Sequence, residues 1–169
     1  MPKKKKKVSK TYKAYCDASF KEGQVILSMV VLSPRDKLMY QTTEKHTFEG
    51  GSTRAELMAM RNLLKHIVRL NIQDVLVISD SQQVVRSVNT PDWQFKSEQQ
   101  KILNAMLQTI RETIPLIQKI RIEHRKRDEN GLADSLCRLR RQDVAVRKHG
   151  GKVDAKQAVT SEQNISLLI

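Results

Sequence analysis

Tyr12-Lys-Ala-Tyr-Cys-Asp-Ala-Ser-Phe20 is the stretch on which the reading of this chain turns. Aromatic and small apolar residues run along it as they do in a β-strand. One carboxylate, Asp17, stands near its far end. A charge carried into a compact domain on a strand needs a partner or a metal. The remaining sequence is read outward from that requirement.

Downstream, Val25-Ile-Leu-Ser-Met-Val-Val-Leu32 reads as a second strand, ended by the turn residues Ser33-Pro34-Arg35-Asp36. A third strand is expected from Leu38 to Thr47, completing an antiparallel meander. Gly50-Gly51-Ser52-Thr53 breaks the pattern and opens a helix, with Ser52 or Thr53 as its N-cap. Met60, Leu63, Leu64 and Ile67 form that helix's apolar stripe. Glu56 lies one turn earlier on the same stripe, either as part of a site or as an acid favoured by the helix N-terminus.

Asp74-Val-Leu-Val-Ile-Ser-Asp80 is an apolar run of the kind buried on both faces in an α/β unit. Asp80 stands at its carboxyl end, where open α/β sheets place their sites. It could also cap the helix expected from Ser81 to Val88. Ser97 with Gln100 resembles a capping box. It introduces a helix with Leu103, Met106, Leu107, Ile110 and Ile114 on one face, stopped at Pro115. Ile117 to Ile122 reads as a short fifth strand, and His124 to Asn130 as a charged loop. A last helix begins at Asn130-Gly131 and carries Asp134 in its first turn. Trp93 and Phe95 fall in a loop, where packing over the core is the expected role and stacking on a sugar or base the other.

The totals restrict the possibilities. The 169 residues suit one domain with tails: a basic arm at 1–10, the domain at 11–142 and a polar tail at 143–169 that ends in an apolar Ile165-Ser-Leu-Leu-Ile169. No run approaches the roughly 20 apolar residues of a membrane span. Cys16 and Cys137 have no metal-type spacing, and no signal peptide is visible. An intracellular protein is expected, in a bacterial or phage cytoplasm or, from Pro2 to Val8, in a nucleus. Lys plus Arg number 31 against 18 Asp plus Glu, a net charge of +13 that points to a polyanionic partner.

Asp17, Glu56, Asp80 and Asp134 thus each stand at an element end. With strands one and four parallel and adjacent, they converge on one sheet edge, where four carboxylates repel unless cations hold them together. Oxygen donors alone suit hard divalent ions, Mg²⁺ or Mn²⁺. Two such ions about 4 Å apart are a device for phosphoryl displacement, and a basic protein around such a site suggests a nuclease.

The chain resembles the ribonuclease HI family, including its reverse-transcriptase-like ribonuclease H domains, over roughly residues 11–142. The resemblance rests on Tyr-Cys-Asp17-Ala-Ser, Ser-Thr-Arg-Ala-Glu56-Leu, Ile-Ser-Asp80-Ser-Gln, and His124 through Asn130-Gly-Leu-Ala-Asp134-Ser-Leu. It implies an α/β fold of the ribonuclease H-like type, with a five-stranded mixed sheet (three antiparallel strands, then parallel ones) flanked by helices. It implies metal-dependent endonucleolytic cleavage of the RNA strand of RNA–DNA hybrids by a monomer using two Mg²⁺, with Mn²⁺ as a substitute. Asp17, Glu56, Asp80 and Asp134 match the family's metal ligands. His124 matches a mobile histidine for proton transfer or product release, or is a strand-end residue without a chemical role. Ser19, Ser52, Thr53, Gln82, Arg127 and Asn130 match positions that contact the nucleic acid. The chain departs from the family at Ala18, where glycine is common, and lacks a basic helical protrusion between Asn89 and Ser97. Two other classes stay open: a nuclease of this fold acting on double-stranded RNA or DNA, and a non-catalytic nucleic-acid-binding or docking module using the basic arm and apolar C-terminus.

Overall fold

The computed structural model describes residues 9–135. The lysine run, the C-terminal tail and its apolar end lie outside those residues. β1 (Tyr12–Lys21), β2 (Gln24–Leu32) and β3 (Leu38–Thr47) form the antiparallel meander. The α1 helix (Ser52–Arg69) leads into β4 (Asp74–Ser79), followed by α2 (Gln82–Asn89), α3 (Gln100–Thr113) and β5 (Lys119–His124). The sheet order is β3-β2-β1-β4-β5, with β4 parallel to both β1 and β5. Helical backbone resumes at residues 131–135. Among the described residues no helix is long and apolar enough to cross a membrane.

The hairpin between β1 and β2 turns on Glu22 and Gly23, both at positive φ (51° and 75°). That pair of left-handed residues matches the right-handed twist of the strands it joins. The core lies between the sheet and the helices. Leu57, Met60, Leu63, Leu64 and Ile67 of α1 are fully buried against Ala14, Cys16, Leu27 and Met29 of the central strands. β2 is buried almost throughout.

Several local expectations shift. The N-cap of α1 is Gly51, with extended backbone and no side-chain cap, and Ser52 is the first helical residue. Glu56 is therefore beyond the first turn, and the helix dipole does not explain it. Ser81, not Asp80, caps α2: its hydroxyl oxygen accepts from the Val84 amide at 3.4 Å. The capping box expected at Ser97 does not form, because α3 starts at Gln100 behind Gln99, without a side-chain cap. Pro115 sits in a 3-10 turn, Ile114–Leu116, after α3 has ended. The fifth strand runs two residues later than expected.

Two polar clusters hold the periphery. Arg111 Nη2 donates to the carbonyls of Thr90 (2.9 Å) and Trp93 (3.2 Å) in the connection from α2 to α3 and to that of Ser87 (3.4 Å) in α2. Asn104 pairs with both the amide and the carbonyl of Phe95. Phe95 enters the core, and Trp93 packs edge-on to it at 6.2 Å, so both rings take the packing role. On edge strand β3, Glu44 accepts from Asn62 (2.8 Å), meets His46 at 3.0 Å and meets His66 of α1 at 3.7 Å. Hydrogen bonding from His66, with further help from His46 and Asn62, outweighs desolvation and holds the Glu44 carboxyl down at about 2.

Candidate metal centre

The site grows from one rung of the sheet. β1 and β4 stay in parallel register up to Cys16 opposite Ser79. The next residue on each strand is an acid, Asp17 and Asp80, so the register itself sets the two carboxylates side by side. From α1, Glu56 reaches them: ligand oxygens of Asp17, Glu56 and Asp80 all lie within 4.8 Å of one another. Asp134 comes from the helical segment at 131–135. Arg127 links it to the others, its Nε 3.4 Å from Asp80 Oδ2 and 3.5 Å from Asp134 Oδ1.

Asp17 and Asp134 are buried, at 1% and 6% exposure. Burial, then the charges of Asp80 and Asp134, push the Asp17 carboxyl up to about 6, against the pull of Arg127 and the Ala18 amide. Burial, then Asp17 and Asp80, push Glu56 well above the ordinary range. Burial would lower the Arg127 guanidinium, but the surrounding acids outweigh it and raise it. Arg127 supplies positive charge to these acids, and a bound cation would relieve their mutual repulsion further.

A divalent ion fits this cluster. The donors are all carboxylate oxygens, as hard cations require. Glu56 Oε2 is buried and has no hydrogen-bond partner among the described residues, a costly state that a metal bond relieves. The residues that would hold ions are Asp17, Glu56 and Asp80, with Asp134 alongside.

The other expected residues divide. Ser52 is exposed at the start of α1, Gln82 is exposed at the start of α2, and Ser19 is half-buried on β1. Thr53 donates to Gln83 Oε1 at 3.0 Å, joining the two helix starts through a residue that the sequence reading passed over. Thr53, Arg54, Gln83, Trp93 and Lys96 line a cleft of about 660 Å³ beside α1. Arg127 stays exposed on the surface while its Nε pairs with Asp80 and Asp134. Asn130 does not face solvent at all: it is fully buried, and its Nδ2 donates to the Cys16 carbonyl at 3.0 Å. The expected nucleic-acid contact at Asn130 is thus corrected to an internal tether. His124 is exposed at the end of β5, and among the described residues its imidazole makes no hydrogen bond or ion pair.

The sequence profile of the reverse transcriptase-like family matches residues 15–139. A search of curated proteins by sequence gave no significant match. Among solved structures, ribonuclease H1 from the halophilic archaeon Halobacterium salinarum NRC-1 has a TM-score of 0.67 at 20% identity, covering 75% of this chain and 93% of its own. The N-terminal ribonuclease H domain of a Mycobacterium tuberculosis protein, solved as a maltose-binding-protein fusion, has a TM-score of 0.68 at 18% identity, covering 80% and 99%. LC11-RNase H1, isolated from compost by a metagenomic approach and solved in complex with an RNA/DNA hybrid, has a TM-score of 0.62 at 18% identity, covering 75% and 93%. The profile match spans most of the chain, and the five-stranded mixed sheet is the one these structures share. The chain belongs to the reverse transcriptase-like family of ribonuclease H domains.

Proposed function

We propose that this protein hydrolyses the RNA strand of RNA–DNA hybrids with two Mg²⁺ ions, for which Mn²⁺ substitutes, leaving 3′-hydroxyl and 5′-phosphate ends. The observation that carries the proposal is the meeting of Asp17, Glu56 and Asp80 within 4.8 Å at one sheet edge. Family membership and the hybrid-bound LC11-RNase H1 support the substrate class. In the reaction, the oxygen of a water bonds to phosphorus, the bond from phosphorus to the ribose 3′ oxygen breaks, and that oxygen gains a proton. When bound, the ions supply activation of the water and stabilisation of the leaving oxygen.

The protein's own part is to hold and orient. The register of β1 with β4 fixes Asp17 against Asp80, and the rigid α1 presents Glu56. Arg127 keeps Asp80 and Asp134 within reach of one positive group. The raised carboxyls of Asp17 and Glu56 hold their protons to higher pH than free carboxyls do, and a cation entering the site competes with those protons. Ser52, Thr53 and Gln83 give the substrate a polar rim, and the net charge of +13 draws a polyanion towards it.

The test compares hybrid, duplex RNA, single-stranded RNA and duplex DNA as substrates in Mg²⁺. Asp80→Asn should keep the fold by circular dichroism and lose more than about 100-fold in hybrid cleavage, more than removal of a residue that only supports a ligand. Hybrid cleavage by that variant at the parent's rate would sink the proposal. Preferential cutting of duplex RNA or DNA would replace the substrate.

A further inference from the structure

The loop between β5 and residues 131–135 is anchored at two points. The Arg125 amide donates to the Ser79 carbonyl at 3.0 Å, and Asn130 Nδ2 donates to the Cys16 carbonyl at 3.0 Å. Ser79 and Cys16 are the two halves of the last β1–β4 rung. Each directly precedes one of the central acids. Where the parallel ladder ends, the loop therefore continues it, once with backbone and once with a side chain.

Asn130 is the side-chain anchor, and its place in the chain matters. Arg127 comes three residues before it and Asp134 four residues after. Both turn towards the same acids, and the 3-10 turn Arg127–Asn130 and the helical segment that follows carry all three. Asn130 reaches across 114 positions of sequence to the residue beside Asp17. Its amide is fully buried, so water does not compete for the bond.

Resting on the function proposed above, we infer that Asn130 is a positioning residue: it registers Asp134 against Asp17 by tying the loop to the Cys16 carbonyl. It touches neither ion nor substrate and acts through Asp134. A residue that acts through another shows non-additive effects when both are changed.

The experiment is a double-mutant cycle of Asn130→Ala and Asp134→Asn on the full chain. The readouts are Mn²⁺ affinity by calorimetry and kcat and KM on the hybrid, with folding checked by circular dichroism. Asn130→Ala should weaken Mn²⁺ binding by about 10-fold and lower kcat about as much, with KM changed little, as for loss of a group that orients a metal ligand. The double variant should match Asp134→Asn alone in both readouts to within about 2-fold. Multiplying effects, or an Asn130→Ala protein that binds Mn²⁺ and cleaves like the parent, overturns the inference. If Asn130→Ala fails to fold, Asn130→Ser, which keeps a hydroxyl donor, takes its place in the cycle with the same criteria. A parent that binds Mn²⁺ but leaves the hybrid intact refutes the proposed function, while the binding cycle still decides Asn130. A parent that binds no Mn²⁺ refutes both.

Discussion

Without metal, Asp17 should destabilise the fold that carries it. Its carboxyl rises from 3.8 to about 6 through burial and the neighbouring acids. At about 1.4 kcal/mol per unit, that shift corresponds to about 3 kcal/mol. The sign follows from linkage: a carboxyl with a raised folded value opposes folding when ionised. Below 3.8 the group is protonated in both states and costs nothing. The cost grows between 3.8 and about 6 and is full above that. Asn in place of Asp17 removes the charge and keeps an oxygen for the Ala18 amide, so Asp17→Asn should stabilise the metal-free protein at pH 8 by about 1–3 kcal/mol. For a domain of this size that is a rise in Tm of roughly 4–10 °C. Thermal melts in EDTA at pH 8 and pH 3.5 check this, and the gain should be absent at the lower pH. Adding Mg²⁺ should then raise the parent's Tm more than the variant's, since a ligand stabilises the state that binds it. A variant no more stable than the parent at pH 8, or equally stabilised at both pH values, would refute the reasoning.

Two further perturbations test the periphery. Glu44→Gln removes the carboxylate that His66, His46 and Asn62 hold down at about 2. A lowered acid stabilises above its unfolded value of 4.5 and loses that as pH falls towards 2. Urea titrations should therefore show the variant weaker by about 1–2 kcal/mol at pH 7 and the gap closing in acid. Arg111→Ala strips two carbonyls of the α2–α3 connection, Thr90 and Trp93, and that of Ser87 in α2 of a shared donor. It should cost about 1–3 kcal/mol and speed amide hydrogen exchange at residues 90–95 ahead of the sheet, and unchanged exchange there would show that Arg111 does not hold the connection.

Much of the architecture was legible because it is periodic. The α1 stripe repeats at a helical spacing, and the unbroken apolar run of β4 suits a strand buried on both faces. Asp80 followed because it ends a strand, and Glu56 because it interrupts a core stripe, whereas Asp17, expected at a strand end, stands inside β1 because the pairing with β2 continues to Lys21. Loop side chains have no period. Nothing in Arg125-Lys-Arg127 says that Arg127 pairs with the acids while Arg125 pairs with Glu123, as the structure shows. Asn130 looked like a surface amide for the same reason, since its partner is a carbonyl on β1. Capping motifs misled at Ser52 and Ser97, where the helices start without side-chain caps. The Glu44 cluster was missed because the polar run of β3 reads as a solvated edge, while its partner His66 lies on a different element.

The rung of Cys16 and Ser79 also orders the steps of self-assembly. The β1–β2 hairpin closes over two residues, Glu22 and Gly23, whereas that rung must bring together strands more than sixty positions apart. The bond from Asn130 to the same rung closes a still larger loop, 114 positions long. Larger loops cost more entropy to close, so the meander is cheap to form and the acid cluster is expensive. A chain stalled part-way has strands and no place for a cation. Tight divalent binding therefore counts finished domains and ignores collapsed ones, which makes it a sharper gauge of complete folding than secondary-structure content.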